Sequence, residues 1–428
     1  MSIKQKKLER PHHNSPFRGL GGLLLIIFTF SFSAFSQKIN IKTGIEVLKS
    51  QNFKVLQGKR VGLITNPTGV DNNLKSTIDI LHEAPNVNLV ALFGPEHGVR
   101  GNAHAGDKVD DVTDPKTGLP VYSLYGSTRK AKPEMLKGID VLVYDIQDIG
   151  CRSFTYISTM GLAMQSCAEN NIEFVVLDRP NPLGGLKVEG NYAEDGFISF
   201  VSQFKIPYVY GLTPGELAQM LNGEPSLGNK PCKLSVIKMK GWKRKMTYDQ
   251  TGLQWVLSSP HIPTAETSFF YPVSGILGEL YYMSIGVGYT LPFRMFGAEW
   301  INATELTDAL NALNLPGIIF RPLYAKPYYS VSQGKQIEGV EVHILNYEKA
   351  NLSEIQFYVM QEVARLYPEH DVLKNAGENR FGMFDKVCGT DQIRTLFSKR
   401  NRWEDAKVYW DKDVESFKQL SKKYYFYK

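Results

Sequence analysis

A carboxylate and an imidazole stand side by side at Glu96 and His97, inside the turn-rich run FGPEHGVRG (93–101). A glutamate held on such a turn can give or take a proton when its surroundings bring its pKa toward neutrality, and the histidine can orient it or touch a substrate. A solvated turn with no chemical role would carry the same residues. A second cluster, YDIQDIGCR (144–152), brings Asp145, Gln147, Asp148 and Arg152 together. It reads as a polar substrate-binding rim or as an Asp–Arg pair that holds the rim together. A metal at Asp145 and Asp148 would have to be magnesium or calcium, and such ions gather more oxygen ligands than this rim offers. There is no H-E-x-x-H, and the eight histidines are scattered, so the reading is against a metal. A third cluster, DRPNPLGG (178–185), sets Asp178, Arg179 and Asn181 on a proline-stiffened loop. They could hydrogen-bond a sugar or carboxylate, or form a rigid turn with its own ion pair. Tyr156 and Tyr192 could offer aromatic faces to a sugar ring.

These residues need a frame that delivers them to one place. RVGLIT (60–65), NLVALF (88–93), VLVYDI (141–146) and EFVVLD (173–178) read as buried strands, with helices across Leu74–Glu83 and Tyr156–Asn170. Apolar strands alternating with helices predict a Rossmann-like α/β domain, its sheet largely parallel and covered on both faces. All strands of a parallel sheet end on the same side, where ligands of such folds bind. Asn66, Glu96, His97, Asp145, Gln147, Arg152, Asp178, Arg179 and Asn181 all follow strands, so they are expected on one cleft. The first strand leads into TNPTG (65–69) with no G-x-G-x-x-G, and no G-x-x-x-x-G-K-[ST] occurs, which argues against a dinucleotide or an NTP. No G-x-S-x-G elbow frames a serine nucleophile. After about Pro260 the texture changes, with aromatics, Pro and Gly dense over Phe269–Trp300. Helical patterns at Glu305–Leu313 and Leu352–Leu366 flank a strand-like GVEVHIL (339–345). This predicts a smaller mixed α+β domain over 260–428, after the Rossmann-like domain over 37–259.

The first 36 residues carry five Lys or Arg and then an apolar run from Gly22 to Phe35 that closes on Ala34-Phe35-Ser36. That pattern predicts a signal peptide cut after Ser36, too short for a membrane span and with no cysteine for a lipid anchor. The expectation is an exported, periplasmic protein with no membrane span after cleavage. Without the leader the formal charge falls from +6 to +2, which leaves no nucleic-acid footprint. The 428 residues, 43% hydrophobic and 21% charged, exceed what one core serves. Four cysteines, Cys151, Cys167, Cys232 and Cys388, allow two disulfides in an exported chain or four isolated thiols.

Five motifs in order span nearly the whole chain after the leader: FGPEHGVRG (93–101), VYDIQDIGCRSFTY (143–156), LDRPNPLGG (177–185), YGLTPGELA (210–218) and LPFRMFGAEW (291–300). Together they resemble the NamZ-type exo-β-N-acetylmuramidases of bacteria, glycosidases once classed as a domain of unknown function. The resemblance implies a cleft between a Rossmann-like domain and a smaller C-terminal one. It implies release of terminal N-acetylmuramic acid from the non-reducing end of peptidoglycan fragments, with no organic cofactor. The family's catalytic glutamate maps onto Glu96. His97, Arg100, Asp145, Gln147, Asp148, Arg152, Tyr156, Asp178, Arg179, Asn181 and Asn66 then become candidates for substrate binding. A glycosidase ordinarily needs a second carboxylate. Where relatives show E-G-T-N and then G-R-G-T, this chain has Glu279-Leu280-Tyr281-Tyr282 and Gly286-Val287-Gly288-Tyr289. Glu279 matches and is the second catalytic candidate, while the polar groups after it are replaced by bulkier or less polar ones. An altered paralogue that binds peptidoglycan, or acts on another amino-sugar glycoside, is the alternative.

Overall fold

The computed structural model describes residues 41–101 and 112–428, so the leader and its expected cleavage site lie outside the described residues. Seven strands form the first sheet: β1 (Arg60–Thr65), β2 (Asn88–Gly94), β3 (Val112–Thr113), β4 (Pro120–Ser123), β5 (Val141–Asp145), β6 (Glu173–Leu177) and β7 (Lys233–Ile237). Their order is β3-β4-β2-β1-β5-β6-β7, and every pairing is parallel except β3 with β4.

The side-chain alternation of these strands builds two cores. Ile64, Phe93, Leu142, Phe174 and Val176 point to one face, where they meet Met160 and Met164 of the helix Tyr156–Glu169 and Leu217 of the helix Pro214–Gly223. Leu63, Leu92, Val143 and Val175 point to the other, against Ile45, Leu48, Ile78 and Leu81. Each such side chain contributes about 1.5–3 kcal/mol by leaving water, so a slip in register is strongly opposed.

The second sheet is antiparallel, with β8 (Met295–Ala298), β9 (Ile318–Ala325) and β10 (Ile337–Ile344) in the order β8-β10-β9. Its apolar face joins the helices Thr267–Gly278 and Ile355–Leu366 in a third core. Pro272 sits inside the first of these helices, and Gln356 of the second bonds to its backbone on the C-terminal side of the proline. Gln356 Nε2 donates to the Pro272 carbonyl at 3.0 Å, and its Oε1 accepts from Leu277 N–H at 2.9 Å. Trp403 stacks on Phe357 with ring centroids 4.2 Å apart and Trp410 packs on Tyr208, anchoring the C-terminal helices.

The chain then returns to the first sheet. Phe417 enters the first core, and the last residues lie beside β7. Tyr427 donates its hydroxyl to Asp178 Oδ2 at 2.5 Å and accepts from Met239 N–H at 2.9 Å. Phe426 N–H donates to Glu216 Oε1 at 2.8 Å, and Arg244 N–H to the Lys428 carbonyl at 3.1 Å. The described residues thus make one compact unit. All four cysteines are free thiols, and Cys151, Cys167 and Cys388 are buried. No helix among the described residues is long and apolar enough to cross a membrane.

Candidate active site

Beyond Gly94 the chain turns sharply at Pro95-Glu96-His97-Gly98, with Gly98 N–H bonded to the Pro95 carbonyl at 2.9 Å. His97 takes φ +72°, a left-handed conformation that a side chain with a Cβ adopts only when its surroundings enforce it. The turn presents Glu96 and His97 to a cavity of about 500 Å³ between the end of the first sheet and the helix Thr267–Gly278. Thr155, at the start of the helix Tyr156–Glu169, donates its hydroxyl to Glu96 Oε2 at 2.9 Å. Tyr125 also hydrogen-bonds Glu96, and burial together with that carboxylate raises the Tyr125 phenol.

Glu279 enters the same cavity from the C-cap of the helix Thr267–Gly278. Burial pushes its carboxyl up to about 7, and the positive charge of Arg380 only partly opposes this. Tyr271, two turns earlier on that helix, shares a hydrogen bond with Ser153 Oγ at 3.2 Å. Burial raises its phenol above the usual tyrosine value, and the charges of both Glu279 and Glu96 add to the effect. One tyrosine therefore lies within electrostatic reach of both carboxyl groups. One carboxyl accepts from two hydroxyls, while the other sits in an apolar wall near neutrality.

Three of the expected residues line the cavity: Glu96, His97 and Glu279. The others do not, and their positions correct the expected rim. Asp145 and Arg179 form a buried ion pair with Nε–Oδ1 at 2.5 Å, and Thr77 adds its hydroxyl to Asp145 Oδ2. Gln147 Nε2 donates to the carbonyls of Asp148 and Pro180, both at 2.7 Å. Asp148 accepts from the Tyr210 hydroxyl and from Gly150 N–H, and burial lifts its carboxyl to about 7. Arg152 is fully buried and donates to Ser202 Oγ and to the carbonyls of Asn191, Ile206, Val387 and Cys388. Asp178 accepts from Thr213, Gly215 and Tyr427. Asn66 accepts from Thr68 N–H, Asn181 donates to the Leu212 carbonyl, and Arg100 pairs with Asp114. Tyr156 lies beneath the cavity and donates to the Ser258 carbonyl.

The cause is topological. The strand order reverses between β1 and β5, where a ligand crevice would open. Here Thr65 Oγ1 donates to the Asp145 carbonyl at 2.8 Å and Gln147 N–H to Thr68 Oγ1 at 2.8 Å, so the chain's own polar groups close that crevice. Strand ends buried in this way must satisfy their hydrogen bonds internally. The cavity opens one strand further out, beyond β2.

Several cavity residues had no sequence signal of their own. Tyr125 and Arg129 follow β4, a short strand that begins with a proline, and Tyr271 lies on a helix hidden by Pro272 and glycines. Ser153 and Thr155 lie inside the run VYDIQDIGCRSFTY (143–156), yet only as neighbours of Arg152. Among the described residues, no group of three or more His, Cys, Asp or Glu side chains is arranged to hold a metal.

Known proteins share this architecture. The family description "Exo-beta-N-acetylmuramidase NamZ, N-terminal" matches residues 61–266, and its C-terminal counterpart matches residues 269–427. The peptidoglycan beta-N-acetylmuramidase NamZ of Bacillus subtilis (strain 168) is 45% identical over 392 residues, 92% of each chain. A crystal structure of a DUF1343-family protein from Bacteroides fragilis superposes with a TM-score of 0.88 at 70% identity, covering 91% of this chain and 100% of that one. A second from the same organism gives 0.72 at 30% identity, covering 91% and 99%. With both halves matched and a relative this similar along almost its entire length, the chain belongs to the exo-β-N-acetylmuramidase NamZ family of glycoside hydrolases.

Proposed function

We propose that this protein is exported and removes terminal N-acetylmuramic acid from the non-reducing end of peptidoglycan fragments. Glu96 serves as the catalytic acid/base, and Glu279 is the second carboxylate. The observation that carries this reading is the meeting of Glu96 and Glu279 in one cavity, with Tyr271 sensing both. Glycoside hydrolysis of this kind needs two carboxyl groups flanking the scissile bond, one to protonate the leaving oxygen and one to act at the anomeric carbon. Peptidoglycan-derived saccharides are the partners, and no cofactor enters the proposal. The basic and apolar leader of residues 1–36 supports export to the periplasm.

A second reading rests on Tyr281 and Val287. Both line the cavity, at positions where the family resemblance implies smaller or charged groups, which favours a changed sugar or binding without turnover. Release of a chromogenic alcohol from its N-acetylmuramic acid glycoside tests the first reading, with the N-acetylglucosamine glycoside run alongside. Preference for the muramic glycoside supports it. Turnover of the glucosamine glycoside alone supports a changed sugar, and no turnover of either supports the binding protein.

A further inference from the structure

Among the described residues, the large aromatic side chains that stand exposed are four tyrosines: Tyr281, Tyr324, Tyr328 and Tyr329, at 54, 64, 69 and 47% exposure. They do not scatter. Tyr281 lines the catalytic cavity, and the other three stand at the end of β9 and in the segment after it. That segment divides two cavities. Ser330 and Val331 face the catalytic one, while Tyr324, Tyr328 and Tyr289 face a second, of about 720 Å³. Tyr329 ties the two together through a hydrogen bond to His261, which lines the catalytic cavity.

The tyrosines are held in place. Tyr328 N–H donates to the Gly288 carbonyl at 2.7 Å, and the rings of Tyr328 and Tyr289 stack at 5.9 Å and 28°. Gly288 has φ +91°, and a Cβ there would lie 2.0 Å from the Tyr329 carbonyl oxygen, so only glycine lets the segment approach. Ser330 and Ser332 are left-handed at φ +68° and +61°, a conformation maintained only where neighbours enforce it. The second cavity is also lined by Lys326, Gln333 and Gln336, whose side chains make no protein hydrogen bond among the described residues.

We propose that this second cavity is a saccharide site, which takes N-acetylated pyranose rings on the reducing side of the glycan whose terminal sugar lies in the catalytic cavity. A tyrosine presents an apolar face and a hydroxyl with little entropy to lose, which suits the C–H face and hydroxyls of a pyranose. Amide side chains beside it can pair with hydroxyl and acetamido groups. The two cavities lie on either side of one short segment, 328–331, so adjacent sugars of one glycan can reach both. This inference rests on the glycosidase reading for which sugar lies in the first cavity.

The test compares wild type with Tyr324→Ala and with Tyr324→Ala/Tyr328→Ala on two substrates, a chromogenic N-acetylmuramic acid glycoside and glycan strands several disaccharides long. Both tyrosines are exposed, so the variants should keep the wild-type melting temperature. The double variant is expected to raise KM for the strands at least tenfold while changing kcat/KM on the chromogenic glycoside less than twofold. Calorimetry with a soluble β-1,4-linked N-acetylglucosamine tetramer should find binding to wild type and a matching loss in the variants. Equal effects on both substrates, no effect on either, or no binding of the tetramer overturns the site. If the chromogenic glycoside is not turned over but the tetramer binds through these tyrosines, the site stands and the glycosidase reading falls.

Discussion

The hydroxyl of Thr155 makes no cap bond to its own helix, although Thr155 occupies the N-cap position; it donates instead to Glu96 Oε2 at 2.9 Å. The start of the helix Tyr156–Glu169 thereby holds the turn after β2. Thr155→Val should cut kcat/KM on a chromogenic muramic glycoside by about 2- to 10-fold, since a side-chain hydrogen bond is typically worth about 0.5–1.5 kcal/mol. Because the hydroxyl caps nothing, the urea midpoint should scarcely move, and Thr155→Ser should restore activity. A large loss of stability with unchanged kcat/KM would contradict this role.

Glu96→Gln should keep the fold and reduce turnover at least about a hundredfold, because glutamine preserves shape but cannot donate a proton; general acid–base participation is typically worth about 10²–10⁴-fold. Substrates with poor leaving groups should lose more than activated aryl glycosides. The check is a leaving-group series measured on both proteins. Retention of activity on an unactivated muramyl disaccharide within a few-fold would remove Glu96 from the chemistry.

Glu279 makes a pH prediction. Burial raises its carboxyl to about 7 in the folded protein, against about 4.5 when unfolded. Between these values the native state holds the extra proton, so this group lowers stability as pH rises from about 4.5 through 7. Glu279→Gln should therefore match wild type near pH 4.5 and exceed it by about 1–2 kcal/mol at pH 8, once solvent exposure of the site is discounted. In kcat/KM, an ascending limb near pH 7 should be present in wild type and absent from the residual activity of Glu279→Gln. Urea titrations and pH–rate profiles read the two effects separately.

Tyr427→Phe removes a donor to Asp178 Oδ2 and an acceptor for Met239 N–H. Each group left without a partner costs about 1–3 kcal/mol. Burial lifts Asp178 to about 7, so its carboxyl is protonated in the native state at pH 5 and largely ionised at pH 8. The Tyr427 hydroxyl favours the ionised form, and the variant's loss should be larger at pH 8 than at pH 5. Chemical denaturation at the two pH values decides it.

The strands covered on both faces were legible because the residues between their ends are almost all apolar, and β1, β2, β5 and β6 lie where such runs predict. The edges were not. β7 begins with an exposed lysine and is only half buried, and β4 is four residues long with a proline at its head. The helix Thr267–Gly278 carries Pro272 and two glycines, residues that ordinarily break a helical pattern, and burial among its neighbours holds it together. For the site, residue type pointed to Glu96 and His97 and the family resemblance to Glu279, and all three line one cavity, but residue type could not tell a ligand-facing aspartate from one facing Arg179. Asp145 and Asp178 have the composition of a binding rim and the surroundings of a keystone. That difference lies in partners more than thirty residues away, Arg179 at 34 and Thr213 at 35.

The return of the C-terminal residues to the first sheet also sets an order of events in time. Asp178 is made 249 residues before Tyr427, the partner that completes its shell of donors. At about 5–20 residues per second of synthesis, that wait is roughly 10–50 s. Throughout it, the sheet end that carries the Asp178 loop stays unfinished, and contacts so distant in sequence form late. The polypeptide therefore acquires its final shape as a finished length of chain, not progressively from its beginning.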